Sequence, residues 1–111
     1  MKYMLMLCSD VAYTEDFSAG VAEGCAGWSE EMARRGVLLT SAGLRPSTDA
    51  TTVKVRHSEV LLTDGPFAET KDQIGGLSLI ECANLDEALE VASQHPTALI
   101  GTIEVRPLWM A

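Results

Sequence analysis

Basic residues are scarce in this sequence: 8 Lys and Arg stand against 16 Asp and Glu, for a formal charge of -8. Nucleic acids and anionic lipid headgroups are bound by basic side chains that displace counterions, so a balance of this sign argues against both as partners. Long hydrophobic runs are missing too. No stretch approaches the ~20 consecutive apolar residues of a membrane-spanning helix, and the opening MKYMLMLCSD has an apolar run of only about seven. That opening also lacks the small-residue cleavage pattern of a secretory leader, and the expected location is the cytoplasm. Cys8, Cys25 and Cys82 are odd in number, far apart and without a C-x-x-C, which argues against a disulfide framework and a zinc site. They are expected to be reduced thiols that behave as small hydrophobes. Histidine occurs twice, at His57 and His95, and no spacing supplies the three or four convergent ligands that a metal needs, so no metal is expected. G-x-S-x-G, P-loop and dinucleotide glycine patterns are likewise absent, and no cofactor is implied.

What is present is enough for one core. With 111 residues, 47% of them hydrophobic, the chain is expected to form a single domain over residues 1–111. KYMLMLC, residues 2–8, is apolar on both faces at strand length, the pattern of a central strand. From Phe17 the period changes. Phe17, Val21, Cys25, Trp28 and Met32 recur every three or four residues, which predicts an amphipathic helix ending at Gly36. Glu30 with Arg34 and Glu31 with Arg35 are spaced to pair along it. Gly20, Gly24 and Gly27 fall on one strip of that helix, where a close approach to the sheet or to another helix would account for them. VLLTSAGL predicts a second strand, and TTVKVRH and EVLLTD a hairpin turning at His57 and Ser58. GGLSLIECA is a further strand. NLDEALEVASQHP is a second helix with Asn84 and Glu87 at the N-cap and N3 spacing, Leu85, Ala88, Leu89 and Ala92 on one face, and Pro96 as its stop. His95 then reads as a cation near the last carbonyls of that helix. GTIEVRPL closes the series.

This order, βα, several strands, then αβ, predicts an α+β fold: a ferredoxin-like sandwich with both helices on one sheet face. The other face is then left bare. Ile103 and Val105 alternate with Thr102, Glu104 and Arg106, while Leu77, Leu79 and Glu81 share a side, so the second face mixes Leu and Tyr or Met with charges. A bare face of this kind implies pairing with a second copy, two sheets enclosing a semi-polar pocket. Trp109 is a candidate for packing across that boundary.

TDGPFAETK, the following GG-L-SLIE, the acidic helix start LDEALE and the closing IEVRP together resemble the DGPF-domain branch of the YCII-related proteins, and the likeness spans nearly the whole chain. The resemblance implies a ferredoxin-like fold assembled as a dimeric α+β barrel. It also implies small bacterial proteins, some encoded beside or fused to extracytoplasmic-function sigma factors, mostly without an assigned reaction. The wider family has a suggested histidine and aspartate dyad. The first helix here carries no histidine, so the dyad does not carry over.

Asp64 is the leading candidate for chemistry. Beside Gly-Pro it suits a turn in which its carboxylate accepts backbone N–H groups, and it equally suits a general acid or base at a pocket mouth. Lys71 is its candidate catalytic companion. Arg106 would hold an anionic substrate, with Glu104 or Glu81 orienting it, because charges on an enclosed sheet face are costly unless paired. Phe67 is expected to plug the corner into the core, with lining a ligand site as the alternative. Pro66 restricts Gly65 and leaves the bond between them open to either isomer. Two functions remain open: binding of a small organic ligand in a dimer-associated pocket, with or without catalysis, or a regulatory module acting with a sigma-factor protein, whose basic surface would suit an acidic one.

Overall fold

The computed structural model describes residues 1–9, 15–67 and 73–109, with only the backbone course given for 15–22. Among the described residues, six strands and three helices follow in the order β1 (Lys2–Ser9), α1 (Glu15–Arg34), β2 (Leu38–Gly43), β3 (Thr51–Arg56), β4 (Glu59–Asp64), β5 (Gln73–Glu81), α2 (Leu85–Ser93), α3 (Thr97–Ile100) and β6 (Thr102–Pro107). A 3₁₀ turn at Ser47–Asp49 precedes the hairpin. Four strands form one antiparallel sheet in the order β2-β5-β1-β6, and β3 and β4 form a second sheet by themselves. The four-stranded order is that of a ferredoxin-like α+β fold, with the hairpin inserted between its second and third strands.

The apolar β1 takes a central place, as its two-faced pattern predicts. Tyr3 and Leu5 face the helices opposite Ile80 and Ser78 of β5. They join Trp28 and Met32 of α1, Val37, Cys82, and Ala88, Val91 and Ala92 of α2 in the core. Tyr3 therefore belongs to the helix-covered face, and methionine alone supplies the bulk of β1 on the other. Of the predicted apolar face of α2, Ala88 and Ala92 are buried together with Val91, whereas Leu85 and Leu89 are exposed. α2 meets α1 through Val91 and Trp28.

Trp28 fastens that contact by donating its indole N–H to the Val91 carbonyl over 3.0 Å. Gly24 does so by leaving room for Pro96, whose Cγ would lie 2.8 Å from an added Cβ. Of the two glycines of the predicted strip whose surroundings are described, Gly24 meets a neighbour closely. Gly27 faces open space, and the surroundings of Gly20 lie outside the described residues. α1 ends as predicted at Gly36, whose φ of 73° is left-handed. The Gly36 N–H reaches the Ala33 carbonyl and the Val37 N–H the Met32 carbonyl, a Schellman closure that satisfies two end carbonyls. The arginines pair differently from the expected spacing: Arg34 with Glu31, and Arg35 with Glu90 of α2 at 3.8 Å.

Asn84 caps α2 as predicted, its side-chain oxygen accepting the Glu87 N–H at 3.0 Å. Beyond Pro96 the chain adds α3, a turn too short for a periodic signal. His95 is no helix-end cation. It is buried at 3% exposure, meets Trp28 edge to face with centroids 4.7 Å apart, and its Nδ1 accepts the Thr97 N–H at 3.1 Å. Burial holds its pKa below the ordinary histidine value and favours the neutral ring.

The hairpin is separate from this body. Its turn is two residues long, and His57 and Ser58 both have positive φ, 52° and 64°. That is type I′ geometry without the glycine that usually eases it. All twelve strand residues except Thr52 are exposed. The molecule measures 47 × 41 × 19 Å with a radius of gyration of 15.8 Å. A compact chain of this length would have a radius of about 13 Å.

Candidate functional site

Residues directly opposite one another in neighbouring strands project to the same side of a sheet. Since Tyr3, Leu5 and Ile80 point to the helices, their neighbours in sequence point away. One cross-strand row on that open face holds Arg106, Met4, Leu79 and Thr40; the next holds Glu104, Met6, Leu77 and Ala42. Lys2 and Glu81 make a third row at one end. The floor of the face is thus two methionines and two leucines, all partly buried by their neighbours, and its β6 border is charged.

Arg106 donates through an Nη atom to a carboxylate oxygen of Glu104, two residues back on the same strand. Both side chains remain at least half exposed, at 67% and 50%. An ion pair this open contributes under about 1 kcal/mol and can be rearranged at little cost. The arginine is therefore free to turn toward another anion. Glu81 shares the face but stands two strands away from β6, roughly 10 Å across the sheet. The N-terminal ammonium lies 3.8 Å from its carboxylate and also donates to the Cys82 carbonyl.

The loop candidates are placed elsewhere. Asp64 ends β4 opposite Thr51, at the base of the hairpin, exposed and in a different sheet from Glu104 and Arg106. The corner after it is held by the backbone: the Gly65 N–H donates to the Ala50 carbonyl over 2.7 Å, and the Thr52 hydroxyl donates to the Gly65 carbonyl over 2.8 Å. Gly65 has a φ of 92°, where a side chain would be strained, and the Gly65–Pro66 peptide is trans. Phe67 does not plug the core. It is 77% exposed, with the Lys54 ammonium 4.8 Å from its ring centroid, a cation–π contact across the hairpin base. Lys71 lies outside the described residues.

The structure thus unites Glu104 and Arg106, leaves Glu81 on the same face at a distance, and separates Asp64 and Phe67 from them. Lys2, Met4 and Met6 were not singled out from the sequence as site residues. Their signal is the alternation within KYMLML, legible once β1 is known to be covered on one side only. The thiols follow a simpler rule: Cys82 is buried, and burial, then the neighbouring Glu87, pushes its pKa up to about 11. A thiol held so far from its nucleophilic form is a packing residue. Among the described residues no group of three acidic, histidine or cysteine side chains is arranged to hold a metal ion, and no helix is long and apolar enough to cross a membrane.

Fold and face together define a class: a small α+β domain whose sheet carries helices on one side and an apolar floor with a charged border on the other. The YCII-related domain matches residues 1–110, and the chain belongs to that family. It is also 37% identical to the uncharacterized protein R00369 of Rhizobium meliloti (strain 1021), an alignment covering 97% of this chain and 92% of the relative.

Proposed function

We propose that the open sheet face binds a small anionic organic molecule, its apolar part on Met4, Met6, Leu77 and Leu79 and its anionic group on Arg106. The observation that carries this reading is the exposed Glu104–Arg106 pair bordering a partly buried apolar floor. An incoming carboxylate competes with Glu104 for the guanidinium, and a planar bidentate acceptor is the group best suited to win. Pairing with a second copy, as in the dimeric α+β barrel of the DGPF branch in which we place this chain, would close the face into a pocket and strengthen the ion pair by excluding water. With no basic surplus and no described spanning helix, we assign it to the cytoplasm.

In the catalytic form of this reading Asp64 moves the proton, Lys71 and Arg106 hold the anion, Phe67 lines the site, and Glu104 or Glu81 orients the substrate. It requires the hairpin base of one copy to approach the open sheet face of the same copy or of a second. The sigma-factor reading rests on the family resemblance, with a charge of -8 that would suit a basic partner, and has no particular surface behind it, so it takes second place.

A thermal-shift screen of small carboxylates and phosphates tests the proposal on wild type, Arg106→Ala and Asp64→Ala. Ligand at about a hundred times its Kd stabilises by roughly 2.7 kcal/mol, a shift of several degrees for a domain of this size. The expected result is a shift in wild type that Arg106→Ala abolishes. Equal shifts in wild type and Arg106→Ala would remove the anion site, and equal shifts in wild type and Asp64→Ala would remove Asp64 from it.

A further inference from the structure

We infer that the ligand of the open sheet face carries two anionic groups, the second of them held by Lys2. The inference rests on the anion-binding reading of Arg106 and names the class of molecule which that site takes. The register puts Arg106 opposite Met4, and Lys2 stands two residues before Met4 on the same side of β1. The two cations are therefore diagonal neighbours across an antiparallel pair, at positions about 7–8 Å apart, with Met4 between them. Both are exposed, while Met4 and the Leu79 beside it are half-buried. Lys2 is also well anchored. On the β6 side the Leu108 N–H donates to its carbonyl over 2.9 Å, and on the β5 side the Cys82 N–H donates to the Met1 carbonyl over 2.9 Å. The sheet thus fixes its backbone, and only the side chain is left to adjust.

Charge selects two anionic groups over one. Arg106 already has a carboxylate, that of Glu104. A monoanion that takes the guanidinium exchanges one ion pair for another and leaves Glu104 beside it without its cation, so the number of pairs on the face does not rise. A dianion makes the same exchange and adds a pair with Lys2. That position is open: among the described residues Lys2 makes no ion pair. Glu81 stands directly opposite it in β5, yet the Glu81 carboxylate lies 3.8 Å from the N-terminal ammonium instead. The two cations also differ in kind. The fork of Arg106 fits a planar carboxylate at two points, whereas the Lys2 ammonium is a point charge on a flexible stem and meets an anionic group over a range of distances. The class of ligand is a small dicarboxylate whose apolar spacer lies across Met4 and Leu79.

The test is a titration followed by the methyl NMR signals of Met4 and Met6, at neutral pH where both ends of each diacid are ionised. Succinate, glutarate and adipate are each set against the monocarboxylate of equal carbon number: butyrate, valerate and hexanoate. Wild type is expected to bind at least one of the dicarboxylates about fivefold more tightly than its monocarboxylate counterpart, as one further exposed ion pair provides. That preference should shrink as salt is added. Lys2→Met keeps the stem and removes the charge. It should bring the dicarboxylate down to the affinity of the monocarboxylate and leave the monocarboxylate where it was, while Arg106→Ala should weaken both. Absence of a preference in wild type, or a preference that survives Lys2→Met, overturns the second anion position and leaves the single-anion reading standing. Equal weakening of both kinds of ligand by Lys2→Met would make Lys2 a general support of the face and overturn the inference as well. Failure of every carboxylate to move the methionine signals, or binding that Arg106→Ala leaves unchanged, overturns the single-anion reading and this inference with it.

Discussion

The body and the hairpin of this protein are built from strands of similar composition, and they end in opposite environments. KYMLMLC and EVLLTD are both rich in branched and apolar side chains, yet Leu5 of the first is fully buried and Leu62 of the second is 69% exposed. The difference lies in the neighbours. β1 has a strand on each side and two helices packed across it, whereas β4 has one strand beside it and every one of its residues is exposed. Apolar side chains do not bury themselves; a strand becomes core only where the topology brings a second layer.

The largest expected effect is the contrast between Leu5→Ala and Leu62→Ala in urea titrations at concentrations low enough to separate copies. Removing Leu5 is expected to destabilise by about 2–5 kcal/mol, because its cavity cannot collapse between helices and sheet. Removing Leu62 should stay within about 0.5 kcal/mol. Equal losses would break the comparison.

Trp28→Phe comes next. It removes the donor to the Val91 carbonyl and part of the surface that covers His95, with an expected loss of about 1–3 kcal/mol. Amide exchange should then accelerate in α2 and stay unchanged in the hairpin.

A smaller effect depends on pH. His95 has its pKa lowered by burial, so below the ordinary value of 6.5 the unfolded chain takes up a proton that the folded chain resists. Stability contributed by the neutral ring is present above that value and falls as pH drops below it, through the depressed native pKa. Denaturation midpoints from pH 7.5 downward should show this decline in wild type and a flatter profile in His95→Gln. A decline of the same slope in the variant would remove His95 as its source.

The smallest effect belongs to the turn. His57→Asn with Ser58→Gly installs the residues that type I′ geometry favours and should slow exchange of the hairpin amides by a fewfold, with the global midpoint almost unmoved. A shift of the global midpoint as large as that of Leu5→Ala would show that hairpin and body unfold as one unit.

Much of the architecture was legible because it rests on local rules. Gly36 after Arg34, Asn84 three residues before Glu87, and the hairpin strands Thr51–Arg56 and Glu59–Asp64 all appear where the sequence places them. The misreadings share a different cause. Leu85 and Leu89 look like core and are exposed, because Trp28 and Pro96 fix which side of α2 meets α1. Phe67 looks like a plug and is solvent-facing, because Lys54 meets it at the hairpin base. His95 looks like a surface cation and is buried, because α3 turns the chain back against the body and Trp28 covers the ring. Each depends on contacts between residues far apart in the chain.

The candidate site divides in the same way. The alternation of Glu104 and Arg106 with Ile103 and Val105 settled that the two charges share a face, since successive strand residues point to opposite sides whatever the fold. Only the tertiary structure decided that this is the face without helices, that Met4, Met6, Leu77 and Leu79 floor it, and that Asp64 stands in a separate sheet. Periodicity specifies a strand's two sides; which of them is covered depends on where the helices land, and that is set by packing across the whole chain.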